Sequence, residues 1–414
     1  MRGTKVNHRL LLLPLVLFGL LAMAAEPIDV ETADIVWWLV AGAAIIGGVI
    51  LLPAVVYHGP SALSRQSSGR FWLPHAFWLA LGVPIALAVG QLALYAEDGG
   101  GWFFVAFVAG AALPPLIALS VAARRLDFPT TWRRLFAALA VGVAVSIPLA
   151  IALEIALPAV ILAAVLPLRD VVADALDYDS LEEFFYSPAM VVTLVYLAVV
   201  APLAEELVKP IGAVVMARRL RSRSEAFVVG MAGGVAFAAI ENMLYQTAGI
   251  QTWAGMVTVR AVGGVLHPLT AGMLGVAWFD LIHKRAGAGR RLLAVFALSA
   301  TLHALWNGGI ALLMTAFGAY YFETRTWEVS VFDVGLPGAL LVLLVLLSVL
   351  MWRMLWLVTG RLRGARPEFI PSRRSNARQL AGLALGLLLV TVPVGALAAP
   401  LIADYIPRLL ESAW

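Results

Sequence analysis

The sequence predicts an all-α membrane protein, a polytopic bundle of transmembrane helices. Of its 414 residues, 62% are hydrophobic and only 13% are charged, with a mean hydropathy of +0.92. Soluble proteins average about half apolar and a quarter charged residues. The apolar residues form repeated runs of about 20 or more, and each run is long enough to cross a hydrocarbon core of about 30 Å. Because the runs are continuous and do not alternate, they predict helices and not the strands of a barrel.

The spans can be assigned in order along the chain. Segment 1–25 combines a basic start, an apolar run and Ala22-Met23-Ala24, which predicts a signal peptide or a first transmembrane helix. Ten further spans are predicted at about 35–57, 71–95, 102–123, 135–168, 190–216, 226–248, 255–283, 292–316, 334–357 and 379–401. The span at 135–168 is overlong, so we expect a tilt or a kink near Pro148 and Pro158.

The loops between these spans alternate in charge. Every second loop is basic, and the others are acidic or neutral; the basic loops contain Arg65 and Arg70, Arg124–Arg134, Arg218–Arg223, Lys284–Arg291 and Arg361–Arg378. The positive-inside rule then predicts a multi-pass protein of a bacterial-type cell membrane with these loops in the cytoplasm. No basic block is typical of a nucleic-acid surface. The chain has no cysteine, which excludes disulfides, thiolate metal ligands and cysteine nucleophiles.

Polar side chains inside four successive spans are the strongest functional signal. Glu205 and Glu206 lie in the apolar run 190–216. Placing a carboxylate at the centre of a bilayer costs about 3 kcal/mol of free energy or more, so such a residue usually marks a functional site. The following spans add Glu241 with Asn242, then His267, then His303 with Asn307. At 1.5 Å per residue, these groups lie about 17–24 Å above the cytoplasmic ends of their spans. They are therefore expected to share one layer of the membrane.

Helical spacing supports a shared cavity. Glu205 and Lys209 are four residues apart on one face, as are His303 and Asn307. Lys209 is therefore a candidate catalytic residue that could pair with a carboxylate or hold a polypeptide carbonyl. Two of the spans have faces of small residues that permit close backbone approach, namely Gly230, Gly233, Gly234 and Ala238, and then Gly263, Gly264, Ala271 and Gly275. Zinc binds two histidines and one or two carboxylates readily, and a remaining glutamate could act as general base on a water.

Other interpretations of the same residues stay open at this point. The two glutamates could form a buried ion pair with Lys209 and an arginine that only holds helices together, and Asn307 could only connect helices by a hydrogen bond. A proton- or cation-coupled transporter also places such groups at the midplane, although the sequence has no inverted repeat. Arg260 lies near the outer end of its span, where we expect its side chain to reach the interface.

Four motifs, one per span, resemble those of the PrsW family of intramembrane proteases, relatives of the CAAX-protease and bacteriocin-immunity superfamily. They are Ala201–Lys209 (APLAEELVK), Gly234–Tyr245 (GVAFAAIENMLY), His267 followed by Thr270 and Gly272, and His303–Asn307 (HALWN). In the related CAAX-type enzymes the second motif ends in histidine where this chain has Glu241. The resemblance covers about 190–316.

The resemblance implies a metal-dependent endopeptidase that cuts membrane-anchored proteins, as some members cut anti-sigma factors. Glu205 or Glu206 would activate water, with Glu205 favoured because it shares a face with Lys209. A divalent metal, zinc by preference, would be bound by Glu241, His267 and His303, and Asn307 would steady the oxyanion or a histidine.

The division of the chain follows from the same resemblance. Segment 190–316 is expected to be the catalytic core, with further transmembrane helices at 26–189 and 317–414. The expected partners are a membrane-anchored protein substrate and the lipid bilayer, and the sequence does not predict an oligomeric state.

Overall fold

The computed structural model describes residues 71–94, 100–164, 188–248, 253–324 and 335–363, and these ranges are helical without any strand. The predicted all-α polytopic fold is therefore confirmed. Seven helical segments in the described ranges are long and apolar enough to cross a membrane: Ala76–Ala93, Trp102–Arg125, Met190–Arg219, Arg223–Gln246, Trp253–Ile282, Ala288–Ala316 and Gly338–Leu362. The predicted spans 35–57 and 379–401, and the segment 1–25, lie outside the described residues.

Twelve α-helices make up the described part of the chain. They are α1 Ala76–Leu94, α2 Gly100–Arg125, α3 Trp132–Val141, α4 Ile147–Ala164, α5 Pro188–Val195, α6 Ala201–Val208, α7 Ile211–Met216, α8 Arg223–Ala248, α9 Trp253–Val262, α10 Leu266–Ile282, α11 Ala288–Thr324 and α12 Gly335–Leu362. The predicted span 135–168 corresponds to α3 and α4 joined by a π-helical turn, and the chain remains helical through Pro158.

Helix α8 is the centre of the bundle. Its spanning segment is 94% buried, compared with 22% for that of α12. It packs along α10, α2 and α3. The contact with α10 is made backbone to backbone, since a Cβ on Gly230 would lie 2.4 Å from the carbonyl oxygen of Ala271, and one on Gly234 would lie 2.3 Å from that of His267. Gly230 and Gly234 of the first predicted small face therefore meet α10, whereas Gly233 faces the carbonyl of Lys209. Of the second predicted face, Gly263 and Gly264 lie against Trp306 and Pro114.

Two π-helical turns, Gly142–Ser146 and Tyr196–Val200, interrupt the helices next to the core. Each turn is followed within two residues by a proline, Pro148 or Pro202. Proline has no N–H, and its ring collides with the carbonyl four residues earlier, which lies inside the π turn in both cases. The wider turn relieves that collision. The irregularity expected near Pro148 therefore takes the form of a π turn.

Two further breaks set the position of polar side chains. Pro210 ends α6 just after Lys209, whose N–H bonds to the carbonyl of Glu205 at 2.9 Å. Gly263 and Gly264 separate α9 from α10, and a Cβ on Gly263 would lie 2.2 Å from the ring of Trp306. This close approach brings α11 against the start of α10.

Candidate metal centre

Glu205, His267 and His303 converge from three helices, α6, α10 and α11. Glu205 Oε2 lies 3.9 Å from His267 Nδ1 and 3.7 Å from His303 Nε2. One ligand atom of each residue lies within 4.8 Å of those of the other two, and all three side chains are buried. The rings of the two histidines meet edge to face, with centroids 5.0 Å apart and an interplanar angle of 82°.

Each histidine has a carboxylate at its other nitrogen. His267 Nε2 lies 2.9 Å from Glu241 Oε2, and His303 Nδ1 lies 3.0 Å from Glu206 Oε1. Lys209 Nζ and Arg260 Nη2 also lie near these two nitrogens, but at longer distances of 3.3 and 3.4 Å. An ionised carboxylate only accepts hydrogen bonds, so we assign the proton to each of these nitrogens. The lone pairs of His267 Nδ1 and His303 Nε2 are then directed at Glu205. Carboxylates that orient histidines in this way are usual behind metal-binding imidazoles.

Two buried cations hold the carboxylates in place. Lys209 Nζ lies 2.8 Å from Glu206 Oε1, to which it donates a hydrogen bond, and 2.8 Å from Glu205 Oε2 in an ion pair. Arg260 donates from Nη2 to Glu241 Oε2 at 2.8 Å and from Nε to the Asn242 side chain. A buried ion pair needs such additional hydrogen bonds to offset the loss of water.

An aromatic wall closes one side of the cluster. The ring of Phe237 stacks on that of His267 with centroids 5.9 Å apart, and Lys209 Nζ lies 4.8 Å from the centroid of the same ring. On α8, Phe237 is one turn before Glu241, so the two side chains share a face. Phe237 therefore packs against the face of the His267 ring, while Glu241 holds the ring at Nε2.

Three observations indicate that the cluster could bind a divalent metal. His267 Nδ1 and His303 Nε2 are buried and have no hydrogen-bond partner among the described residues, and Glu205 Oε2 is buried with Lys209 as its ion-pair partner. The three carboxylates of Glu205, Glu206 and Glu241 exceed the two cations by one negative charge. Bonds of about 2.0–2.2 Å in a tetrahedron place ligand atoms about 3.4 Å apart, close to the observed separations from Glu205.

The structure brings most of the residues predicted from the sequence together but arranges them differently from the expectation. Glu205, Glu206, Lys209, His267 and His303 form one contact network. Glu241 joins it from behind His267, while the convergent group contains Glu205 in its place. Asn307 lies one turn beyond His303 and is 6% exposed, and its Nδ2 has no hydrogen-bond partner among the described residues.

Arg260 is the site residue that the sequence analysis missed. The expectation that it reaches the interface is wrong, since the side chain is buried and bonded to Glu241 and Asn242. Its Nη2 lies 3.4 Å from His267 Nε2, across the break between α9 and α10. The signal available in the sequence was charge balance, because Lys209 alone leaves several buried carboxylates without a cation.

The model of the PrsW family of intramembrane metalloproteases matches residues 130–351, more than half of the chain, and the chain therefore belongs to this family. No curated protein and no solved structure matches the chain. Membership makes the protein a membrane-embedded metalloprotease with a protein substrate, and it does not favour the transporter alternative. The match extends on both sides of the predicted core 190–316.

Proposed function

We propose that His267, His303 and Glu205 bind a zinc ion and that the protein uses it to hydrolyse a peptide bond of a membrane-anchored substrate. The convergence of three buried ligand atoms from three helices carries this proposal, since two of them, His267 Nδ1 and His303 Nε2, have no hydrogen-bond partner among the described residues. Two histidines and one carboxylate are a ligand set of catalytic zinc sites, which leave a further position for water. When bound, zinc makes its water more acidic and polarises a carbonyl.

The protein groups have distinct tasks in this proposal. Glu241 and Glu206 keep His267 and His303 in opposite tautomers, so that both lone pairs face the same point. In this assignment Glu205 Oε2 would bind the metal, and the second carboxylate oxygen of Glu205 would accept the proton of the attacking water. Lys209, which lies 2.8 Å from Glu205 Oε2, holds that carboxylate in place through an ion pair.

This assignment revises the division of roles suggested by the resemblance. Glu241 Oε2 is already engaged by Arg260 and His267, which supports an orienting role for Glu241 and not a ligand role. Glu206 is completely buried behind His303, which supports the choice of Glu205 over Glu206 as the water-activating residue. Asn307 remains a candidate to bind the oxyanion, since its buried amide has donors to spare.

We propose a single-pass membrane protein as the substrate, and an anti-sigma factor is the specific candidate. The resemblance to PrsW proteases supports this substrate, and the position of the cluster within the spans supports cutting at membrane depth. The basic loops are proposed to face the cytoplasm. Comparative proteomics of membranes containing the wild type or Glu205→Gln tests the substrate, since a single-pass protein should accumulate uncut with the variant.

The metal proposal is tested on purified protein in proteoliposomes. We expect about one zinc per chain in the wild type, and loss of bound zinc and of peptidase activity in His303→Ala, His267→Ala and Glu205→Gln. His283→Ala is the matched control, because His283 lies at the end of α10 with its Nδ1 2.9 Å from the carbonyl oxygen of Phe279. Full activity in Glu205→Gln, or full zinc content in both His267→Ala and His303→Ala, would contradict the proposal.

A further inference from the structure

A second polar pair lies beside the metal centre and is not used by the proposed chemistry. The Tyr196 hydroxyl donates a hydrogen bond of 3.2 Å to Glu154 Oε2. Glu154 belongs to α4, and Tyr196 is the first residue of the π turn between α5 and α6. Both side chains are half-buried, in contrast to the buried carboxylates of the metal centre.

Packing places Glu154 at the edge of that centre. Ala150, one turn before Glu154 on the same face of α4, packs in a small apolar cluster with Val208 and Phe237. Phe237 is the residue that stacks on His267. Glu154 is also within electrostatic range of Glu205 and Glu241. The pair therefore lies next to the reacting groups, on the side where α4 faces α6.

No described cation forms an ion pair with Glu154, although Lys209 of the metal centre lies within electrostatic range of it. Within the described ranges, Lys, Arg and His side chains form no ion pair with it, while Glu205, Glu206 and Glu241 each have one. A carboxylate at this depth without a cation is costly and is functional by default. A helix-stabilising role would need only one hydrogen bond of ordinary strength, which an uncharged side chain could supply at lower cost.

The surroundings of the pair identify the direction from which a ligand would arrive. Neighbouring side chains on the two helices are apolar and exposed, namely Leu149 and Ile151 on α4, and Val195 and Val199 on the other segment, each between 40% and 52% exposed. Such a surface faces lipid in a membrane protein. A segment that moves from the bilayer toward Glu205 between α4 and α6 would pass Glu154 and Tyr196.

We propose that Glu154 and Tyr196 bind the unwound backbone of the substrate's transmembrane segment, with the carboxylate accepting from a peptide N–H and the tyrosine hydroxyl donating to a peptide carbonyl. A helix must open before its peptide bond can be cut, and in lipid each freed backbone group costs several kcal/mol, about 4–8 in an alkane, unless it finds a partner. Next to the metal centre, the pair supplies carboxylate acceptors and one donor, the Tyr196 hydroxyl, which turns from Glu154 to the substrate carbonyl when the substrate binds. The two residues are positioning residues, and this role depends on the proposed peptidase function.

Steady-state kinetics separate this role from chemistry and from stability. The probe is a single-pass reporter that the wild type cleaves and Glu205→Gln does not. We expect Glu154→Gln and Tyr196→Phe each to raise KM by about five- to tenfold, with kcat and thermal stability unchanged, since one lost hydrogen bond is worth about 1 kcal/mol. Glu225→Gln, which removes a buried carboxylate at the start of α8, is the control and should leave KM unchanged.

Each other outcome has a definite meaning. A large fall in kcat at unchanged KM would overturn the proposal in favour of a role in the reaction itself. A parallel loss of stability at unchanged KM would overturn it in favour of a structural role. If the zinc-bound wild type cleaves no single-pass membrane protein, so that no such reporter can be found, the peptidase proposal fails. If the wild type cleaves the reporter and both variants keep its KM, only the present inference is contradicted.

A contact experiment tests the same inference without turnover. Because the natural chain has no cysteine, Tyr196→Cys in the inactive His303→Ala background gives a unique thiol. We expect disulfides with reporter cysteines placed near the scissile bond and none with cysteines a full span away. Leu341→Cys, on the exposed face of α12, is the control and should trap nothing. A reporter that co-purifies with the inactive protein but never cross-links to position 196 would overturn the proposal.

Discussion

Individual residues in this centre act in pairs, and the pairing explains why five charged side chains can be buried together. Each imidazole donates to one carboxylate, and each of those carboxylates is bound by one cation. Glu206 with Lys209 supports His303, and Glu241 with Arg260 supports His267. Removing any member leaves a buried group without its partner, which costs more than the interaction contributed.

The orienting role of Glu241 leads to a first prediction. We expect Glu241→Gln to weaken zinc binding by about 10–100-fold, the usual effect of losing a carboxylate behind a metal-binding histidine. The loss arises because an amide can present its N–H₂ to His267 and favour the wrong tautomer. Competition with a chelator of known affinity measures it.

Glu225→Gln is the matched control for this prediction. Glu225 is a buried carboxylate of the same helix, paired with Arg134 and Thr130 far from the centre. We expect it to reduce stability without changing zinc affinity. Equal zinc affinity in Glu241→Gln and the wild type would show that Glu241 does not orient His267.

Arg260 provides a second prediction at this scale. Its guanidinium bonds Glu241 and Asn242 from two different nitrogens, and a lysine ammonium lacks that fork. We expect Arg260→Lys to lower the unfolding free energy by about 1–3 kcal/mol, the cost of a buried polar group left unpaired. Thermal unfolding in detergent measures it, and an unchanged melting temperature would contradict the assigned contacts.

The site residues could be predicted from the sequence because charge is rare in these spans. Glu205, Glu206, His267 and His303 stand out against continuous apolar neighbours. Their roles could not be predicted in the same way, because a role depends on which oxygen or nitrogen faces the shared point. That orientation is set by helix rotation, by the break at Pro210 and by the burial of Arg260.

Whole helices are held in register by glycine contacts between α8 and α10. A Cβ on Gly234 would lie 2.3 Å from the carbonyl oxygen of His267, and backbone cannot move aside as a side chain can. The contact therefore fixes the distance between the helix that carries Glu241 and the one that carries His267.

Substitution of Gly234 tests this contact. We expect Gly234→Ala to separate the helices, lower stability by about 1–3 kcal/mol as other overpacked sites do, and reduce zinc affinity. Gly255→Ala is the control, since a Cβ there meets nothing within 4 Å. Unfolding midpoints and zinc titrations of both variants give the comparison, and equal behaviour of the two would contradict the role of the close approach.

The order of spans could be predicted at this scale, whereas local helix geometry could not. Seven predicted spans match helices of the structure to within a few residues at most ends. The π turns before Pro148 and Pro202 have no signal in hydropathy, although both follow from the same collision of a proline ring with an earlier carbonyl.

At the scale of the whole molecule, the part of the chain that matches the family is larger than the helices that carry the motifs. The family match begins at residue 130 and so includes α3 and α4 as well as the predicted core. Helix α4 contributes Ala150 beside Phe237 and Glu154 bonded to Tyr196. The motifs gave no sign of this, because α4 carries only one polar group of note and its partner lies on another span.

Metal binding should stabilise the entire bundle, since three ligands come from three separate helices. Zinc at about 100 times its dissociation constant should raise the unfolding free energy by about 2.7 kcal/mol. Thermal unfolding with and without zinc measures this as a shift to higher temperature, and a chelator should reverse it.

His267→Ala should remove that shift while leaving the metal-free protein folded. His283→Ala should retain the shift, since it lies outside the centre. A zinc-independent melting temperature in the wild type would contradict a site that links the three helices.

Because the two imidazoles are opposite tautomers, they face the shared point with different nitrogens. His267 uses Nδ1, which is nearer the backbone, and His303 uses Nε2, which is farther from it. An asparagine amide can imitate only the nitrogen nearer the backbone, and a glutamine amide only the more distant one. His267→Asn and His303→Gln should consequently keep some residual zinc affinity, whereas the exchanged substitutions, His267→Gln and His303→Asn, should keep none. The two positions therefore tolerate different substitutions, although both are histidine.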